Sequence, residues 1–193
     1  ANYSKDPDDH VLEINQFPCP WPRIPAAEDA AAAPIDSTSV SRAPLFLGID
    51  HTAIVTADTD RSLVFYQQVL GLGIAGESSN YGLEQERLNN VFGAHLRITT
   101  LRATSGPGIE LLEYLTPTTG RDMPRDSTAA DLWHWHVSVT TAAPLDEASA
   151  ILAASRASRM SAAPASPAAP LPAVIVRDPD GHAVQILPVA STP

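Results

Sequence analysis

The sequence predicts an α+β fold of paired βαβββ modules whose strands curve into an open, cup-shaped mixed sheet, and three internal echoes carry that prediction. The stretch Asp178-Pro179-Asp180-Gly181-His182-Ala183-Val184-Gln185-Ile186 is echoed near the start by Asp6-Pro7-Asp8-Asp9-His10-Val11-Leu12-Glu13-Ile14. His51-Thr52-Ala53-Ile54-Val55-Thr56 has the shape of His136-Val137-Ser138-Val139-Thr140-Thr141, and Ile109-Glu110-Leu111-Leu112 that of Val184-Gln185-Ile186-Leu187. A unit thus opens on a strand bearing a His and closes on a strand bearing Glu or Gln. Self-similarity of this kind constrains the fold before any local reading does.

Taken in order, residues 1–16 read as a tight turn followed by one strand, the closing piece of a unit whose partner strands would lie upstream. Residues 17–44 carry Pro18, Pro20, Pro22, Pro25 and Pro34 around the Ala30–Ala33 run, which removes backbone donors and offers little to a core, so they read as a linker. Trp21 is a candidate anchor within it. The first module, 45–116, opens with a strand over Phe46–Ala57 that puts Ile49, His51, Ala53 and Val55 on one face. Asp58 or Asp60 caps a helix to about Leu70, with Leu63, Tyr66, Val69 and Leu70 as its apolar stripe and Gly71 at its C-terminal cap. A short strand over Leu72–Glu77 and a polar, irregular stretch over Ser78–Gly93 follow, with a helical turn near Glu84–Asn90. Ala94–Ala103 and Ile109–Leu115 form a hairpin about Ser105-Gly106-Pro107-Gly108.

A polar crossover over Thr116–Asp131 leads to the second module, 132–190. Its opening strand is Trp133–Thr141. A helix from Pro144 to about Met160 has Asp146 and Glu147 at its positive end and Arg156 and Arg159 at its negative end. The Ala- and Pro-rich stretch Ser161–Pro172 leaves the next strand short, displaced or missing, and Ala173–Arg177 with His182–Leu187 closes the unit around Pro-Asp-Gly.

Bulk properties bound the function. The 193 residues, 44% of them hydrophobic, suffice for one good core. A net charge of −10, from 12 basic and 22 acidic residues, argues against a nucleic-acid or anionic-membrane surface and favours a small-molecule partner. Cys19 is the only cysteine, so neither a disulfide framework nor a thiolate cluster is expected. No run of 18 apolar residues offers a membrane span. The compartment stays open: cytoplasmic is the default expectation, and a leader removed ahead of Ala1 is the alternative.

A single His on a strand is usually a structural residue, and a lone Glu or Gln usually faces solvent. Four such residues at matched positions of two units are harder to explain independently. His51 and Glu110 of the first unit, with His136 and Gln185 of the second, are therefore the candidate ligands of a divalent ion (Zn²⁺, Ni²⁺, Fe²⁺ or Mn²⁺). Two neutral imidazoles, one carboxylate and one amide would leave that ion a strong Lewis acid. Glu113 competes with Glu110, but strand alternation puts it on the opposite face. His134, Tyr114 and Phe92 are candidate substrate contacts, with Trp133 and Trp135 as further aromatics, while His10 and His182 are expected at the surface.

The ordered set Gly48-Ile49-Asp50-His51-Thr52-Ala53-Ile54-Val55, the Asp58–Gly71 helix with Phe65-Tyr66, Ile109-Glu110-Leu111-Leu112-Glu113, His136-Val137-Ser138-Val139 and Asp178-Pro179-Asp180-Gly181-His182 resembles the vicinal oxygen chelate superfamily. That superfamily includes glyoxalase I, methylmalonyl-CoA epimerase, extradiol dioxygenases and bleomycin-resistance proteins. The resemblance implies a glyoxalase-like cup, metal ligands where His51, Glu110, His136 and Gln185 stand, and residues 1–16 as the last strand of a preceding module. It implies a lyase or isomerase in which Glu110 is both ligand and the candidate base. Gln185 stands where oxygenases use Glu, which disfavours dioxygenase chemistry. The other implied reading is a metal-free binding module that sequesters a small molecule. Members that exchange modules between chains make a homodimer the implied assembly.

Overall fold

The structure is a computed structural model, and it describes residues 2–16, 48–155 and 173–189. The linker, Trp21, the helix beyond Ser155 and the weak stretch Ser161–Pro172 lie outside the described residues. Within these, the chain forms three sheets. Strands β1 (Asn2–Lys5) and β2 (Val11–Ile14) make an antiparallel hairpin. A four-stranded sheet has the order β3-β6-β5-β4, from β3 (His51–Thr56), β4 (Gly73–Tyr81), β5 (His95–Arg102) and β6 (Gly108–Thr116). A three-stranded sheet has the order β7-β9-β8, from β7 (His136–Thr141), β8 (Val174–Arg177) and β9 (Ala183–Pro188).

In each larger sheet the opening strand lies parallel to the closing one, β3 to β6 and β7 to β9, and the strand beyond is antiparallel. This is the mixed α+β architecture expected. A parallel pair needs a long connection. In the first sheet it is supplied by α1 (Thr59–Leu63), which Asp58 caps through the Arg61 amide at 3.0 Å and which continues as a π-helical turn over Val64–Val69. The expected single α-helix is therefore α-helical at its start and widens into a π-helical turn at its end. Gly71, at φ +76°, ends it as a helix-stopping glycine should. In the second sheet, α3 (Leu145–Ala154) begins after Pro144.

Several boundaries differ from expectation. The N-terminal strand finds its partner in Asn2–Lys5, not in an upstream segment. The stretch read as a short strand and an irregular loop forms the nine-residue β4, bulged between Ile74 and Gly76, and then helix α2 (Leu83–Asn89). Polar residues suit β4 because none of its positions is buried.

One apolar cluster unites the two larger sheets. Ile54, Ile109, Leu111 and Leu101 from one face of the first sheet join Phe65 and Tyr66 of the helical crossover, Leu152 of α3, and Val174, Val176, Val184 and Ile186 of the second sheet. Burying one face of each sheet leaves His51, Glu110 and Thr100 on the other face of the first, and Ser138 and Gln185 on the other face of the second. Among the described residues no helix is long and apolar enough to cross a membrane.

Between the helical crossover and the turn after β8, buried Asp178 accepts from the buried Tyr66 hydroxyl at 2.9 Å. Asp180 bonds Thr56 Oγ1 at 2.7 Å and pairs with Arg61 at 2.5 Å. His182 is not the surface residue expected: its side chain is 13% exposed, with Nδ1 on Asp178 at 2.9 Å.

The two echoing turns match bond for bond. Asp178 Oδ1 accepts from the amides of Asp180 and His182 at 2.9 and 2.8 Å, and Oδ2 meets His182 Nδ1. Asp6 Oδ1 accepts from the amides of Asp8 and His10 at 3.0 and 2.9 Å, and Oδ2 meets His10 Nδ1. Positive φ falls on Gly181 in one turn and on Asp9 in the other. Each turn aims its outgoing strand with a carboxylate that closes its own loop.

Candidate functional site

His51 begins β3, and the residue before it decides how its ring is held. Asp50 Oδ2 meets His51 Nδ1 at 2.9 Å, while Arg102 Nη2 contacts both Asp50 carboxylate oxygens at 2.9 Å and Arg102 Nη1 donates to the Asp50 carbonyl at 3.0 Å. Arg102 reaches Asp50 because Gly108 has no side chain. A Cβ there would stand 3.0 Å from the Leu101 carbonyl oxygen and 3.1 Å from Arg102 Nε. Burial raises the Asp50 carboxyl, but the hydrogen bonds from His51 and Arg102 and the Arg102 charge outweigh it and hold it below the usual carboxylate range. An ionised Asp50 can only accept, so His51 carries its proton on Nδ1 and turns Nε2 away from Asp50.

Nε2 faces two carboxylates. Glu110 Oε2, on the neighbouring β6, lies 3.5 Å away, and Glu13 Oε2, from the N-terminal hairpin, lies 3.2 Å away. All three side chains are largely covered, at 13% exposure for His51, 23% for Glu110 and 24% for Glu13. The other oxygens of both carboxylates are also held, Glu110 Oε1 by Thr100 Oγ1 at 3.0 Å and Glu13 Oε1 by the Tyr3 hydroxyl at 3.0 Å. Burial, the hydrogen bond to Glu13 and the charges of Glu13 and Glu110 push the Tyr3 phenol up to about 12. Tyr3 therefore stays a donor. The Asp50 charge is met by Arg102, which leaves two carboxylates around one imidazole nitrogen. Two carboxylate oxygens facing one imidazole nitrogen make a place that favours positive charge.

The second predicted pair is placed differently. His136 and Gln185 lie on adjacent strands, with Gln185 opposite Ser138, whose hydroxyl donates to the Gln185 amide oxygen at 3.0 Å. Among the described residues no hydrogen bond or ion pair joins this pair to His51 or Glu110. The His134 and His136 rings stand 6.1 Å apart, and His134 lines a small cleft with Trp133, Trp135, Arg177 and His182 that shares no residue with the His51 cluster. At the His51 cluster, by contrast, two carboxylates converge on one imidazole nitrogen. Tyr114 packs beside Leu96 and Ile98 and bonds Asn89, whereas Phe92 is 92% exposed. Glu113 faces away from the cluster, accepting from the Thr59 amide at 3.3 Å and lying 3.8 Å from Arg97.

The donor chemistry fits a divalent ion. Two donors bonded at about 2.1 Å to one such ion stand about 3.0 Å apart at a right angle and about 3.4 Å apart at the tetrahedral angle. The Nε2–Oε2 separation of 3.2 Å to Glu13 falls in that range, and the 3.5 Å to Glu110 lies just beyond it. An imidazole fixed by a carboxylate on its other nitrogen is the usual outer support of a metal-binding His. Among the described residues, however, no group of three or more His, Cys, Asp or Glu side chains is placed to hold a metal ion.

Sequence reasoning missed Asp50, Arg102 and Thr100 as supports of the site, although the Asp-His dipeptide was a signal for the first. It singled out Glu13 as the counterpart of Gln185 but not as a neighbour of His51.

Residues 48–186 match the family model described as the glyoxalase/bleomycin resistance protein/dioxygenase superfamily. No curated protein sequence matches this one. Among solved structures, the chain is similar to a glyoxalase family protein from Bacillus cereus, at 20% identity and a TM-score of 0.64 over 78% of this chain and 98% of that one. It is also similar to a glyoxalase family protein from Enterococcus faecalis, at 18% identity and 0.54 over 74% and 98%. An antibiotic-binding protein from Streptomyces aligns at 13% identity and 0.50 over 77% and 100%. At these identities the likeness is one of fold.

Proposed function

The chain belongs to the glyoxalase/bleomycin resistance protein/dioxygenase superfamily, and from that premise we propose a divalent-metal-dependent lyase or isomerase of the glyoxalase type, acting on a small molecule with neighbouring oxygens. The observation that carries this reading is His51 Nε2 turned towards Glu110 Oε2 at 3.5 Å, with His51 oriented from behind by Asp50. His51 and Glu110 would hold the ion, and His136 and Gln185 are the proposed contribution of the second sheet. When bound, such an ion supplies Lewis-acid stabilisation of negative charge on a carbonyl oxygen.

The chain's own groups do the rest. Glu110 accepts the proton from the carbon beside the carbonyl, and Thr100 holds its other oxygen so that one lone pair stays directed at the substrate. Asp50 and Arg102 keep the His51 ring fixed while charge shifts around it. Lyase or isomerase chemistry suits this set better than oxygenation, because Gln185 offers a neutral amide where an oxygenase would use a carboxylate.

A second reading, metal-free sequestration of a small molecule, is favoured by one observation: the Gln185 amide oxygen is already engaged by Ser138. The two readings part on metal content and melting temperature before and after chelation, for wild type, Glu110→Ala and Glu113→Ala. Metal-dependent chemistry requires a bound first-row ion, a stabilising shift on adding Ni²⁺, Zn²⁺, Mn²⁺ or Fe²⁺, and loss of that shift in Glu110→Ala but not in Glu113→Ala. Absence of bound metal together with absence of a shift would leave the sequestration reading.

A further inference from the structure

Asp178 holds a histidine at the edge of the cleft that the metal-dependent reading leaves unused. Its Oδ2 accepts from the buried Tyr66 hydroxyl and meets His182 Nδ1, both at 2.9 Å, so a chain of bonds runs from the core to the His182 ring. Oδ1 accepts from two backbone amides. A carboxylate so surrounded by donors stays ionised and can only accept, which puts the His182 proton on Nδ1 and makes Nε2 of the neutral ring an acceptor. Among the described residues nothing bonds that nitrogen. Nor is it sealed off, because Thr59 Oγ1 is the only buried side-chain polar atom among them without a partner.

The cleft beside it lies between the turn after β8 and the crossover that follows β6. Met123 of the crossover packs onto Gly181, where a Cβ would stand 3.0 Å from the Met123 Cβ. The lining is largely aromatic, from Trp133, His134 and Trp135, and the Trp135 ring stands 6.2 Å from that of His182. Two of the chain's three Trp residues are here, at 53% and 37% exposure. Indoles left this open present apolar area that a ligand gains by covering. Arg177 also lines the cleft, its Nη1 donating to the Gly181 carbonyl at 2.6 Å, and its charge favours an electron-rich oxygen nearby.

We propose that this cleft is a second binding site, for a small phenol whose hydroxyl donates to His182 Nε2 while its ring lies against Trp133 and Trp135. An alkyl alcohol would meet the nitrogen but not the rings, and a bare arene the rings but not the nitrogen. The cleft is small, so it takes one ring and not a large ligand. It shares no residue with the His51 cluster and needs no metal, so the site stands apart from the metal-dependent reading.

The test is a calorimetric titration of the full chain, with a chelator present, using 4-methylphenol and its methyl ether 4-methylanisole, which keeps the ring and has no hydroxyl to donate. Wild type is compared with His182→Phe, Trp133→Ala and Glu110→Ala. The proposal requires the phenol to bind wild type about fivefold or more tighter than the ether and His182→Phe to abolish that preference. It also requires Trp133→Ala to weaken both compounds by about threefold or more. Circular dichroism checks that His182→Phe keeps the wild-type fold. If it does not, the wild-type preference and Trp133→Ala, at a half-exposed side chain, decide the matter. Equal binding of the two compounds by wild type, or unchanged affinity in Trp133→Ala, overturns the proposal. Phenol binding lost in Glu110→Ala overturns it by placing the ligand at the His51 cluster. A wild type that binds neither compound overturns it and leaves the metal-dependent reading untouched.

Discussion

Replacing Tyr66 with Phe removes one oxygen atom and tests whether the two larger sheets are welded by the bond it makes. Tyr66 is 1% exposed and Asp178 fully buried, so neither group has water as an alternative partner. Asp178 keeps His182 and two backbone amides after the substitution, and the aromatic ring still fills its space beside Phe65. What is lost is one hydrogen bond to a charged acceptor, about 1.5–3 kcal/mol. For a chain of this size that lowers the melting temperature by about 3–12 °C.

Acid and base add a signature. Burial raises the Asp178 carboxyl, but hydrogen bonds from His182 and Tyr66 and the charge of His182 overcome it and hold it below the ordinary range. A depressed carboxyl contributes stability above its unfolded value near about 4, and that contribution is lost as pH falls through the lower folded value. The Tyr66→Phe substitution would take away part of the depression, so the gap between wild type and variant should narrow on acidification. Burial, reinforced by the Asp178 charge, pushes the Tyr66 phenol well above its usual range. A raised phenol contributes stability below about 10 that fades as pH climbs, and only wild type should show that alkaline loss. Scanning calorimetry and urea melts from acid to alkaline pH read all of this, with Tyr81→Phe as control because Tyr81 is 72% exposed. A gap under about 0.5 kcal/mol at neutral pH, or one that widens in acid, would refute the reasoning.

Two further substitutions probe the support behind His51. Asp50→Asn should cut metal affinity by about 10–100-fold while the fold persists, with calorimetric titration as the check; unchanged affinity would mean that the His51 ring is fixed by something else. Gly108→Ala places a methyl group 3.0 Å from a backbone oxygen and against the Arg102 guanidinium, so it should cost about 1–3 kcal/mol in a urea melt and weaken metal binding alongside Asp50→Asn.

How much of this was legible in the sequence depends on the range of the interaction. Strand alternation placed Glu110 on the site face and Glu113 off it, and both positions follow from a period-two pattern that any half-buried sheet imposes. Asp58 and Gly71 bounded the crossover helix because caps are chemical requirements of the backbone itself. His182 reads as a surface residue in the sequence because a residue after a turn is usually exposed, and it is its bond to buried Asp178 and the neighbouring Trp135 ring that cover it. Phe92 was read as a pocket aromatic, yet at 92% exposure it lines nothing in the described residues.

By itself the sequence determined the periodicities: which strands carry a polar group on an apolar face, where the helices start, and that residues 6–14 and 178–186 make one kind of turn. Those are properties of a segment and its immediate neighbours. That Glu13 rather than Gln185 stands beside His51, and that Asp178 reaches back to Tyr66 across 112 residues, was decided by tertiary structure alone. Such pairings depend on how whole sheets bury their apolar faces against each other, and no local pattern encodes that choice.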